Sequence, residues 1–169
     1  MINLRQVLFL VVAGLVPVDS SARGPKIEHW ETEKGIDVYF VAAPEIPMFD
    51  MRIVFAAGSS RDGVTKGLAN MTNQLLKEGA GKLTADAFSE QFSATGARMG
   101  VGLGRDMAWA SLRTLSNSER TAESLALFID AVTKPRFDDI AVRRLQAQTL
   151  VALQHKKQSP GIIATEALY

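Results

Sequence analysis

The chain has 169 residues, of which 47% are hydrophobic and 22% charged, a composition typical of one globular domain and not of a disordered chain. Lysine and arginine (19) nearly balance aspartate and glutamate (18), so the net charge of +1 argues against a nucleic-acid interface and polybasic membrane attachment. The absence of cysteine excludes a thiol nucleophile, a thiolate zinc site and a disulfide framework. The two histidines, His29 and His155, are too few for a multi-histidine metal site.

The first residues have the three-part pattern of a secretory signal peptide. Arg5 precedes an uninterrupted apolar run, Val7 to Val16, and Ser20-Ser21-Ala22 supplies the small residues that a signal peptidase reads. The run is shorter than the roughly 20 residues of a membrane-spanning helix, and a buried core segment is the alternative. We predict a signal peptide over 1–22 and a mature domain over 23–169. The domain would be exported, most simply to a bacterial periplasm, and free of the membrane after cleavage.

Hydrophobic periodicity divides the mature chain into strands and helices. Strands are predicted over Ile27 to Thr32, Ile36 to Val41, Met48 to Ala56, Arg98 to Leu103 and Met107 to Leu115. Helices are predicted over Gly67 to Lys77, Ala85 to Ala94 with Thr84 as N-cap, Ser118 to Val132, and Asp138 to about Lys157. This order, βββααββαα, indicates an α+β fold in which helices cover one face of a mainly antiparallel sheet.

Several polar or glycine-rich features have structural interpretations. Gly100 to Gly104 lies between two predicted strands, which favours a glycine-rich strand and turn over a phosphate loop. Asp138-Asp139 is expected to cap a helix. No histidine lies at a spacing that would form a Ser–His–Asp triad with Ser59-Ser60. We interpret His29 as a half-exposed strand residue and His155 as a residue of a helix C-terminus, so none of these features indicates an enzyme.

Short motifs, each of them loose, follow one another in a specific order. They are Met48-Phe49-Asp50-Met51-Arg52, Phe55-Ala56-Ala57-Gly58-Ser59, Gly67-Leu68-Ala69, Leu75 to Ala80, Gly104-Arg105-Asp106, Pro135-Arg136-Phe137 and Ser159-Pro160. This order resembles the N-terminal domain of the pitrilysin/insulinase zinc peptidases, in the branch similar to mitochondrial processing peptidase, over Ile27 to Tyr169. The resemblance implies an α+β half of the LuxS/processing-peptidase type. The family domain continues beyond this point, so we expect a domain truncated at its C-terminus.

The resemblance also locates the positions of the family's zinc site. In that family a helix opening G-L-A-H-x-x-E-H supplies two zinc ligands and a glutamate general base. Here the ligand positions are Asn70 and Gln74, and the base position is Asn73. The third ligand, a glutamate, aligns near Leu145, yet Ala141 to Pro160 contains no acidic residue. Amides are poor zinc ligands and cannot accept a proton from water, so we predict no catalytic residue, no zinc and no other cofactor.

The leading hypothesis for function is a non-catalytic peptidase-like subunit or domain. It would partner a catalytically active, zinc-bearing family member and help enclose a peptide substrate, without any nucleic-acid partner. One alternative is a zinc metalloendopeptidase of the same family that uses unusual ligands. Others are an incomplete fragment with no independent function and an unrelated envelope binding protein. Zinc analysis would separate the enzyme from the rest, and the residues do not identify a peptide-binding site.

Overall fold

A computed structural model describes residues 24–116, 119–161, 163 and 164. The predicted signal peptide and the predicted capping residue Ser118 lie outside these residues. The chain forms two compact units, Met1–Glu45 and Ile46–Tyr169, and each is described by itself. Within the described part, every helix is too short or too polar to cross a membrane.

The described part of the first unit is an antiparallel hairpin of β1 (Ile27–Glu31) and β2 (Asp37–Val41). This confirms the predicted pair of strands. His29 lies directly opposite Tyr39, and the two rings stack with their centroids 4.5 Å apart. The His29 Nε2 atom also lies 2.8 Å from a carboxylate oxygen of Asp37. His29 is therefore a half-exposed residue of a strand pair, as expected.

The second unit contains a three-stranded antiparallel sheet with the order β3-β5-β4. Its strands are β3 (Met48–Phe55), β4 (Arg98–Leu103) and β5 (Ala108–Leu115). The central strand β5 alternates sharply, since Ala110 and Leu112 are buried on one face while Arg113 is exposed on the other. Such alternation is typical of a sheet with one face covered and one face solvated.

Four α-helices of eight or more residues lie in the described part of the second unit. They are α1 (Leu68–Leu75), α2 (Ala85–Ala94), α3 (Arg120–Thr133) and α4 (Asp139–Lys156). The predicted N-cap of α2 is confirmed, because the Thr84 hydroxyl accepts a hydrogen bond from the backbone N–H of Ala87. The predicted βββααββαα order is confirmed throughout, and the boundaries differ from the predictions by one or two residues, as hydrogen-bond-based ends commonly do.

The hydrophobic core lies between the helices and one face of the sheet. Its buried members are Leu76, Ala80, Phe88, Phe92, Ala110, Leu112, Leu127, Phe128 and Ala131. Phe128 of α3 is fully buried, and the fully buried Ser124 on the same helix donates a hydrogen bond to the Thr121 carbonyl at 2.9 Å. Packing of helices on one sheet face is the predicted α+β architecture, which is thus confirmed.

Candidate functional site

The helix that carries the predicted site, α1, begins at a buried carboxylate. Asp62 accepts hydrogen bonds from the backbone N–H groups of Gly67 at 2.9 Å and Ala69 at 2.8 Å. Gly67 has a φ of 90°, a left-handed conformation that side-chain-bearing residues rarely adopt. The carboxylate therefore satisfies N–H groups that a helix start leaves without partners. The sequence analysis did not assign this role to Asp62, although an aspartate in a glycine-containing loop just before a helix is a recognisable capping signal.

The three predicted site positions lie on one face of α1, as their i, i+3, i+4 spacing requires. Asn73, at the family's general-base position, is buried, and its Nδ2 atom donates a hydrogen bond to the Gly102 carbonyl at 2.5 Å. Asn70 and Gln74 are half-buried. Asn73 therefore acts as a hydrogen-bond donor that fastens α1 to strand β4, a contact that the sequence did not reveal.

The segment near Leu145, the predicted third-ligand position, lies in α4, which packs beside α1. Leu145 is half-buried. Its neighbour Arg144 forms an ion pair with Glu78, which follows the end of α1 in the chain. The structure thus brings α1 and the family's third-ligand segment together, as the resemblance implies, and joins them by an ion pair.

The residues at this place do not fit a zinc ion. Zinc sites in proteins use imidazole, thiolate or carboxylate donors, commonly three of them in catalytic sites. Here the available groups are two amides, Asn70 and Gln74, and the aliphatic side chain of Leu145. The described residues contain no group of three or more His, Cys, Asp or Glu side chains that could hold a metal ion. The buried Asn73 amide also turns its nitrogen, not its oxygen, toward its partner.

The glycine-rich segment next to Asn73 belongs to strand β4 and its turn, as predicted. A Cβ atom added at Gly102 would lie 2.1 Å from the ring of Trp109, the residue opposite it on β5. Arg52 of β3 lies over the same ring, 5.8 Å from its centroid, within the range of a cation–π contact. Gly102 thus has a packing role on one side of the strand and accepts the Asn73 hydrogen bond with its carbonyl.

The predicted acidic pair lies at the start of α4. Asp138 occupies the N-cap position, but its side chain makes no capping hydrogen bond. Its two carboxylate oxygens instead accept hydrogen bonds of 2.8 and 3.1 Å from the Arg136 guanidinium. These hydrogen bonds from Arg136 hold the pKa of the Asp138 carboxyl below its usual value. Asp139 lies in the first turn of α4, where the helix dipole favours a negative charge.

The fold and this helix pair define a class of protein: a peptidase-like α+β domain with neutral amides where the sequence resemblance places a metal and a general base. Residues 38–169 match the family Insulinase (Peptidase family M16). The chain therefore belongs to peptidase family M16, which confirms the resemblance found in the order of its motifs.

The solved structures similar to this chain include the following two. One is the inactive domain of a peptidase M16 from Pseudomonas fluorescens, with 41% identity over 85% of this chain and a TM-score of 0.81. A protease from Helicobacter pylori shares the fold, with 18% identity over 80% of this chain and a TM-score of 0.62. The chain spans 35% and 32%, respectively, of the lengths of those two proteins. No curated protein matches the sequence.

Proposed function

We propose that this chain is a non-catalytic peptidase-like domain that associates with a zinc-bearing member of the same family and helps to enclose a peptide substrate. The observation that carries this proposal is the state of Asn73. A general base needs a free lone pair close to the attacking water. The Asn73 nitrogen has none, and it already donates a hydrogen bond to the Gly102 carbonyl.

The surroundings of Asn73 support the same conclusion. Asn70 and Gln74 offer amide groups, and Arg144 brings a guanidinium to the segment where the family has its third ligand. Arg144 also forms an ion pair with Glu78, so the carboxylate that follows α1 is already bound by a guanidinium. The similar structure from Pseudomonas fluorescens is described as an inactive domain, and that description, applied to this chain, agrees with the proposal.

Metal analysis combined with a peptidase assay tests the absence of catalysis. We expect the purified chain to hold no zinc after dialysis against a mild chelator and to leave a fluorogenic peptide uncleaved. The triple change Asn70→His, Asn73→Glu, Gln74→His should still fail to retain zinc, because two imidazoles lack a third strong ligand. The matched variant adds Leu145→Glu to the triple change, so that a carboxylate is present as the third ligand. Stoichiometric zinc in the wild-type chain, with hydrolysis lost on Asn73→Ala, would contradict the proposal and favour an enzyme with unusual ligands.

Co-expression with a zinc-bearing relative tests the partnership. We expect the two chains to elute together from a sizing column at micromolar concentration, and the complex to cleave peptides when only the relative carries zinc ligands. Two separate peaks at that concentration would exclude the partnership.

Export is a separate part of the proposal. N-terminal sequencing of the protein from its native host should begin near Arg23, and retention of Met1 would contradict it.

A further inference from the structure

A cavity of about 1430 Å³ lies between α2 and the beginning of α4, and its lining reaches the Arg144–Glu78 ion pair but includes none of Asn70, Asn73 and Gln74. Its lining includes Phe88 and Phe92, one turn apart on α2, together with Phe137 and Ile140 at the start of α4. Small-molecule pockets typically have volumes of about 300–1,000 Å³, so this cavity is larger than that range. We refer to it as the α2–α4 groove.

Phe137 has an unusual backbone conformation at the rim of the groove. Its φ of 53° is the one positive value among the non-glycine residues that the structure describes. The preceding Arg136 holds this turn, because its backbone N–H donates to the Gly79 carbonyl at 3.2 Å and its guanidinium binds both carboxylate oxygens of Asp138. Strained conformations of this kind persist only where the surroundings fix them, and they cluster at ligand-binding places. Here the strain presents a 40% exposed aromatic ring at the groove.

The lining contains a second exposed apolar side chain. Ile140, in the first turn of α4, is 83% exposed, although it lines the same groove as the almost fully buried Phe88. The lining of the groove therefore combines two aromatic residues of the core with two exposed apolar side chains. An apolar side chain from another chain would lose its contact with water by entering between them.

The charges around the groove define the polarity of the complementary segment. The two arginines of the lining are already neutralised, Arg136 by Asp138 and Arg144 by Glu78. The lining also contains Lys77 and two carboxylates, Asp86 and Asp139, and none of these three forms an ion pair with a described residue. The unpaired groups thus carry a net charge of −1, with one carboxylate in the first turn of each helix that borders the groove.

We infer that the α2–α4 groove docks a segment of a partner protein in which a large apolar side chain lies beside lysine or arginine. The apolar side chain would occupy the space between Phe137 and Ile140, and the cations would lie near Asp86 and Asp139. This inference goes beyond the proposed function. It concerns the helical side of the domain, and it holds whether or not the helix pair of α1 and α4 supports catalysis.

Fluorescence anisotropy with labelled synthetic heptapeptides tests the inference on the full chain. The probe has the sequence GKFLKRG, and two controls reverse its charges (GEFLEDG) or remove its apolar residues (GKGSKRG). We expect saturable binding of the probe alone. The pair of changes Asp86→Asn and Asp139→Asn should weaken binding by about fivefold at low ionic strength, since exposed ion pairs contribute little individually. Ile140→Ser should weaken it by about tenfold, as expected for the loss of a buried aliphatic contact.

Matched variants outside the groove separate docking from general effects. Glu123→Gln removes an acidic residue from the first turn of α3, and Val64→Ser removes a fully exposed apolar side chain from a loop. Both should leave binding unchanged. Equal binding of the charge-reversed peptide, indifference to Ile140→Ser, or no saturation of the probe would each overturn the inference. Concentration-dependent dimerisation without peptide that Ile140→Ser abolishes would also overturn it, because a second copy would then be the occupant.

Discussion

Replacing Asn73 by aspartate changes a single polar atom at the centre of the candidate site. The two side chains have nearly the same shape, but the aspartate has an oxygen where Asn73 donates to the Gly102 carbonyl. Two acceptors would then face each other in a place where Asn73 is only 4% exposed. An ionised carboxylate without a donor is strongly disfavoured in such surroundings, so burial and the facing carbonyl should raise its pKa above the ordinary value.

The cost of the substitution follows from two estimates. Loss of the hydrogen bond, with a buried acceptor left facing the carbonyl, lowers the free energy of unfolding by about 1–3 kcal/mol. The alternative is protonation of the aspartate, and moving its pKa from about 3.9 to 7 corresponds to about 4 kcal/mol. We therefore expect a destabilisation of about 3–4 kcal/mol at pH 7. Because the folded-state pKa is the higher one, the penalty should be small near pH 4 and grow as the pH rises toward that folded-state value.

Urea denaturation followed by circular dichroism at pH 5, 6, 7 and 8 measures this dependence. Asn73→Leu is the control, since it removes the hydrogen bond without introducing a titratable group, and its cost relative to the wild type should not change with pH. If Asn73→Asp is no more destabilised at pH 8 than at pH 5, the amide nitrogen of Asn73 is not the group that contacts Gly102. A carboxylate at position 73 would then be compatible with its surroundings.

Four further changes test other parts of the structure. Phe128→Ala empties the centre of the core and should lower the free energy of unfolding by about 3–5 kcal/mol in urea denaturation. Asp62→Ala removes two hydrogen bonds at the start of α1 and should cost about 2 kcal/mol in the same assay, while Asp62→Asn should cost less. Gly102→Ala should displace the Trp109 ring, cost about 1–3 kcal/mol and shift the tryptophan emission spectrum. The lowered pKa of Asp138 means that its ion pair stabilises the fold fully above the ordinary value of 3.8 and less as the pH falls below it. Asp138→Asn should therefore weaken the acid dependence of thermal unfolding between pH 2 and 5.

The order and type of the elements could be predicted because each has a strong local signal. The apolar residues of α3 recur at helical spacing, and those of β5 alternate, so burial on one face follows directly from the sequence. The cap of α2 is equally local, since Thr84 contacts a backbone group only three residues away. Ser118, the predicted cap of α3, lies outside the described residues and stays a prediction.

The contacts that define the candidate site could not be predicted, because they join distant parts of the chain. Asn73 and Gly102 are 29 residues apart, and Glu78 and Arg144 are 66 residues apart. Periodicity identifies the face of a helix that is buried but not the atom that it meets. The partner of the Asp138 side chain could not be predicted for a different reason, since a guanidinium two residues away competes with the helix N–H groups for the same carboxylate.

The hydrogen bond between Asn73 and Gly102 also limits which side chains position 73 tolerates. A glutamate there would lose the donor to Gly102 and place a carboxylate where Asn73 is only 4% exposed. Such a change lowers the stability of the fold, and less stable proteins are removed more readily by cellular proteolysis. An acidic side chain at this helix position is therefore compatible with the fold only if another donor replaces the one that Asn73 supplies.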